Sequence, residues 1–258
     1  MHGTNTVDKM KRIFVFLLVF LPVFVMAQEP VGFTADRPGS TTSVDVLPRG
    51  RVQWETGIGW ERSKLEGPAK NTWTMNTSLL RWGISSSAEL RLQADWLYSS
   101  ADGEYSSGLS DVALGAKVHL FEGWKAVPEV SLLANVLIPG GSNAHFLPHE
   151  WGGQLGILFE NKLTPWFSLG YEGDLIWSDN SRPTFFYGVC LSFDLTDRLF
   201  LVLEEYNSNT TDGTKSCSEI SLGYMLSPRV QIDLGTDINL NHPGRYRNLM
   251  VGIAWQIQ

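Results

Sequence analysis

Glu89-Leu90-Arg91-Leu92-Gln93-Ala94-Asp95-Trp96 alternates without a break between polar or charged residues and apolar ones. Successive side chains of a β-strand point to opposite faces. Leu90, Leu92, Ala94 and Trp96 therefore share one face, and Glu89, Arg91, Gln93 and Asp95 the other. A helix would scatter both sets around its circumference. The same rhythm continues on either side. Asp111 to Leu120 opposes Val112, Leu114, Ala116, Val118 and Leu120 to Asp111, Gly115, Lys117 and His119. Arg51 to Glu61 sets Val52, Trp54, Ile58 and Trp60 against Gln53, Glu55 and Glu61, and Val230 to Asp237 sets Val230, Ile232 and Leu234 against Gln231, Asp233 and Asp237.

Extending the count predicts strands near 51–61, 72–82, 87–97, 110–120, 127–137, 151–160, 166–176, 184–193, 198–206, 216–225, 230–238 and 247–257. The phase is indistinct at 72–82 and 198–206, so no faces are assigned there. Connections alternate in length. Gly83–Ser86, Phe121–Ala126, Asn161–Pro165, Asp194–Asp197 and Leu226–Arg229 are tight. Arg62–Asn71, Tyr98–Leu109, Ile138–Glu150, Trp177–Pro183, Asn207–Lys215 and Asn239–Tyr246 are longer and polar. An even strand number, strands of about ten residues and one-sided long loops are the pattern of a bacterial outer-membrane barrel.

The N-terminus agrees with that compartment. Lys11 and Arg12 precede the apolar run Ile13 to Phe24, followed by Val25-Met26-Ala27. A basic start, a short apolar stretch and a small-residue cleavage site make residues 1–27 a secretory signal peptide, complete even if translation begins at Met10. The run is shorter than the roughly 20 residues a spanning helix needs. No later window could serve, so a membrane form of this chain has to be a closed barrel, in which every backbone group is paired. Losing Asp8, Lys9, Lys11 and Arg12 takes the formal charge from −7 to −9. That acidity argues against nucleic acid as a partner. A chain this long needs no disulfide to fold, and spacing alone leaves open whether Cys190 and Cys217 pair.

The alternation would also serve a soluble β-sandwich. Strand number, loop asymmetry and the gathering of Trp54, Trp60, Trp73, Trp96, Trp124, Trp151, Trp166, Trp177 and Trp255 near strand ends favour the barrel, since indoles concentrate at the headgroup level. The predicted fold is therefore all-β: a transmembrane antiparallel up-and-down β-barrel of about twelve strands over 51–258. Residues 28–50 lack the rhythm and form an irregular segment that either trails as a tail or enters the lumen.

Phe33-Thr34-Ala35-Asp36-Arg37-Pro38-Gly39, Leu47-Pro48-Arg49-Gly50 and Gln53-Trp54-Glu55-Thr56-Gly57 resemble the N-terminal signature of a family of outer-membrane transporters named for the meta-pathway of phenol degradation. Leu80-Arg81-Trp82-Gly83 and Glu89-Leu90-Arg91 are similar to its later pattern. The resemblance implies a channel or transporter in the bacterial outer membrane for small, hydrophobic or aromatic molecules. Its partners are lipid, the solute and, during insertion, the barrel-assembly machinery. Ala254-Trp255-Gln256-Ile257-Gln258 departs from the terminal aromatic residue many such barrels carry. The alternative is a structural or adhesive barrel acting through its outer loops, and behind it an outer-membrane hydrolase.

With apolar faces toward lipid, the lumen holds Glu55, Glu89, Arg91, Asp95, Lys117, His119, Glu129, Glu172, Asp174, Asp233 and Asp237. Buried charges must be paired or hydrated, so these form either salt-bridge ladders or a wet, cation-leaning pore. Asp36 and Arg37 are expected to fold back as a plug and pair with charges such as Arg91 and Glu89. His145 and His149 flank Pro148 in a loop, so no metal site is expected. No nucleotide-binding glycine loop occurs and no cofactor is expected. His119 is the single strand histidine, without a Gly-x-Ser-x-Gly motif, so catalysis is not expected.

Overall fold

The computed structural model of the chain describes residues 33–64, 69–124, 126–140, 146–178, 182–210 and 213–257. The predicted leader and His145 lie outside them. Twelve strands follow one another: β1 (Val52–Ser63), β2 (Lys70–Gly83), β3 (Ala88–Ala101), β4 (Glu104–Phe121), β5 (Glu129–Leu137) and β6 (Gly152–Thr164). Then come β7 (Phe167–Trp177), β8 (Thr184–Asp194), β9 (Leu199–Thr210), β10 (Gly213–Ser227), β11 (Val230–Asn239) and β12 (Tyr246–Gln256). Each strand pairs antiparallel with its sequence neighbours, and β1 closes on β12 with Gly57 opposite Gly252. Closure leaves no unpaired edge.

The faces are inverted relative to a soluble sandwich. On β11, Asp233 and Asp237 are 5% and 1% exposed, while Leu234 between them is 48% exposed. The most deeply buried large side chains include Arg81, Lys117, Glu55 and Glu89, and the exposed ones include Leu222, Leu234, Val251 and eight of the tryptophans. An apolar exterior around a charged interior has its free-energy minimum in a bilayer. Leu234 lies near the middle of β11, so Leu234→Arg should destabilise the barrel by roughly 2–4 kcal/mol in lipid. Urea unfolding in vesicles measures this; an unchanged midpoint would place that face outside the hydrocarbon.

Two of the expected long outer connections are hairpins instead. β3 runs to Ala101 and β4 restarts at Glu104, joined by Asp102 and Gly103 at φ +50° and +84°. Positive φ at both central residues defines the two-residue turn that matches strand twist. Likewise β9 and β10 continue to Thr210 and from Gly213, through the stretch expected as the Asn207–Lys215 loop. Above the membrane both faces of a strand meet water, so the apolar alternation stops although the strand does not. The indistinct phase at 72–82 has a different cause. A bulge between Thr74 and Asn76 inserts Met75 and slips the alternation by one residue. In β9, Phe200 and Val202 point into the lumen opposite outward Leu201 and Leu203, so both faces read as apolar.

Candidate functional site

Residues 33–50 lie inside the barrel, and the interior carboxylates grip them through the backbone. Four of these accept main-chain N–H groups: Glu55 from Asp36 at 3.0 Å, Glu204 from Ser40 at 2.9 Å, Glu172 from Thr42 at 2.9 Å and Glu89 from Leu47 at 2.8 Å. The segment's carbonyls are received by wall donors. Gln53 donates to Thr34 O at 2.8 Å, Gln231 to Arg37 O at 2.8 Å, Lys117 to Ser43 O at 2.8 Å, and Ser131 Oγ to Val44 O. An irregular segment has no ladder partner of its own, so these donors and acceptors make its burial possible. Val44 adds an apolar contact, packing with Leu133 and Leu158.

Charge pairing concentrates on the β1–β4 wall. Arg81, fully buried, donates to Glu55 and Glu89, each at 2.9 Å. Arg91 bridges Glu89 and Asp36, and Lys117 lies 3.0 Å from Asp36. Burial pushes the Asp36 carboxyl up, but Arg81, Arg91 and Lys117 together hold it well below the usual carboxylate range. Arg37 extends to β11 and meets Asp233 at 2.9 Å. It fits because Gly57 and Gly252 flank it without side chains. A Cβ at Gly252 would strike the Arg37 guanidinium, the movable end of a long side chain. Gly252→Val should therefore leave the barrel intact, displace Arg37 from Asp233 and make conductance openings more frequent. Recordings identical to the parent would show that this contact does not hold the segment.

Of the sites expected from sequence, Asp36, Glu55, Glu89, Arg91 and Lys117 come together in one cluster, with Arg37 and Asp233 beside it and Glu172 on the opposite wall. Asp95 accepts from Ser78 N, Asp174 from Gln154 and Asp237 from Tyr206, with no hydrogen bond or ion pair to the segment among the described residues. Glu129 pairs with Lys162 at 3.2 Å near the end of β5. Arg81, Glu204 and Glu219 were missed, for the phase reasons given above in the case of Arg81 and Glu204. Cys190 and Cys217 are both free thiols.

Between the segment and the β6–β10 wall remains a cavity of about 570 Å³, lined in part by Thr41, Ser43, Glu160, Cys190, Phe200 and Val202. The segment thus pairs its charges with the β1–β4 wall and leaves space toward the β6–β10 wall. His119 does not build a catalytic triad. Ser131 Oγ (3.4 Å) and Glu129 (3.6 Å) both approach its Nδ1, whereas nucleophile and orienting acid must take opposite ring nitrogens.

A family model described as "Putative MetA-pathway of phenol degradation" matches residues 35–257. Among solved structures the chain is similar to an outer membrane channel from Pseudomonas putida F1, at 13% identity and TM-score 0.66, covering 86% of this chain and 99% of that one. It is also similar to the KdgM porin, at 10% identity and TM-score 0.53, covering 79% and 99%. A third likeness is to the translocator domain of the autotransporter NalP from Neisseria meningitidis, at 15% identity and TM-score 0.50, covering 82% and 90%. No curated protein sequence matches. At these identities the likeness is one of fold, that of an outer-membrane β-barrel.

Proposed function

Since the chain belongs to the phenol-degradation family whose model it matches over nearly all its described residues, we propose that it is a passive outer-membrane channel for small organic molecules, occluded by its own N-terminal segment. The carrying observation is the lumen: a closed barrel with a polar interior, filled by a segment held through exchangeable hydrogen bonds, beside a cavity that a small solute could use. A wall made to be permanently filled is better served by apolar packing, since buried ion pairs contribute little net stability. The solved structures of similar fold include a channel and a porin, which supports the same reading. Aromatic and hydrophobic solutes follow from the family description alone.

Planar-bilayer recording of purified, folded protein is the test. Discrete steps that scale with salt, biased toward cations by the interior acids, are expected. Silence from folded protein that persists after residues 28–50 are removed would overturn the channel. A second reading, adhesion, has one observation in its favour: the β3–β4 hairpin carries Tyr105, 68% exposed, stacked on Tyr98. Trimming that hairpin separates the two, because only an adhesin should lose cell attachment while permeability stays unchanged.

A further inference from the structure

Glu204 on β9 stands directly opposite Glu219 on β10, and Glu219 directly opposite Asp237 on β11. All three point inward and are almost fully buried. Side chains directly opposite across a strand pair lie about 4.5–5.5 Å apart, and like charges placed so are destabilising. On the β1–β4 wall and at Asp233 the acids are matched by Arg81, Arg91, Lys117 and Arg37. This row makes no ion pair among the described residues. The nearby cation Lys215 lies instead over the Tyr246 ring, 4.2 Å from its centroid. Ser40 N and Oγ reach Glu204 and Glu219, Ser221 Oγ donates to Glu219 at 2.7 Å, and the Tyr206 hydroxyl donates to Asp237. Glu204 Oε1 and Asp237 Oδ1 have no partner among the described residues, although Glu204 is 4% and Asp237 1% exposed. A buried anionic oxygen without a donor is costly.

We propose that the Glu204–Glu219–Asp237 row is a binding site for small organic ammonium ions, with diamines held best. Three carboxylates in line leave two gaps, each flanked by two acceptors, and a short diamine places one ammonium in each. The described His, Cys, Asp and Glu side chains do not converge as a metal ion requires, whereas ammonium groups donate three separate hydrogen bonds to spaced acceptors. The tilted ring pair Phe186 and Tyr206, 6.0 Å between centroids, stands one row above and supplies the aromatic surface that cations favour. Ser40 occupies one side of the row, so a bound diamine takes over its hydrogen bonds and competes with the N-terminal segment. The site rests on the channel reading only in that a solute must be able to enter the lumen.

Calorimetric titration of the full chain in detergent with propane-1,3-diamine tests the site. Saturable binding is expected, weaker for propylamine and absent for propan-1-ol. Glu219→Gln should raise the dissociation constant at least about tenfold, the usual scale for losing a charge-assisted hydrogen bond. Glu205→Gln, one residue from Glu204 but on the outer face, should leave it unchanged. No binding to folded wild-type chain, indifference to Glu219→Gln, or binding of magnesium ion as tight as the diamine would each overturn the proposal. Binding by a protein that passes no current even after residues 28–50 are removed would refute the channel and spare the site; current without binding would do the reverse.

Discussion

Removal of residues 28–50 is expected to raise single-channel conductance about threefold or more and to lengthen openings. Twelve strands spaced about 4.8 Å apart and tilted about 40° enclose a backbone cylinder of roughly 12 Å radius. Inward side chains narrow it, and a further strand with its side chains fills roughly 10 Å of what remains. Residues 33–50 therefore take most of the available section, leaving the side cavity of about 570 Å³. The barrel itself should survive the deletion. Its ladder closes without the segment, and Arg81, Glu55 and Glu89 still pair with one another. Glu172 and Glu204, released from Thr42 and Ser40, become hydrated anions in the opened pore. Cation preference should then rise with conductance. Bilayer recording of the truncated protein checks both, and unaltered step size would mean the segment does not obstruct the path.

Arg81→Gln should be the most damaging single substitution in the lumen. Arg81 is fully buried and is the shared partner of Glu55 and Glu89; its Nη1 also donates to Thr34 O and its Nη2 to Asp45 O. One guanidinium thereby joins β1, β2, β3 and both ends of the inserted segment. A planar fork with five donors suits this role and an amide does not replace it. Removing one partner of a buried charge group strands the others, at a cost of about 3–5 kcal/mol. The loss should appear as a lower unfolding midpoint in detergent together with a leaky channel. Adding Glu89→Gln to the variant should recover part of the stability, because one uncompensated anion is then gone. A double variant no better than the single would show that hydrogen bonds to the segment, rather than charge, dominate.

Strand number, closure and the inward set of charges were legible because hydrocarbon on one side and polar surroundings on the other force a period of two. Glu89, Arg91 and Asp95 declare their face through Leu90, Leu92 and Trp96. Where the two environments become alike, the signal fades. The β3–β4 hairpin is wet on both sides above the membrane, and the lower half of β9 is apolar on both because Phe200 and Val202 face the cavity. Arg81 was hidden by the bulge at Met75, a one-residue slip that no composition reveals. The larger gap concerns how acids are satisfied. Counting charges suggests ladders of ion pairs or a hydrated pore. In the fold, Glu172 and Glu204 are met by backbone N–H groups of the N-terminal segment, and backbone donors leave no trace in residue types.

A covalent tether tests most directly whether the segment controls the pore. Thr41 packs over Gly188 on β8 and lines the same cavity as Cys190, two residues further along that strand. Thr41→Cys, made with Cys217→Ser so that Cys190 is the remaining native thiol, places two thiols within reach of each other. Conductance should fall to its occluded level on oxidation and return when the disulfide is reduced. Failure of the cross-link to form in folded protein, or currents indifferent to its state, would contradict a channel closed by its own N-terminal segment.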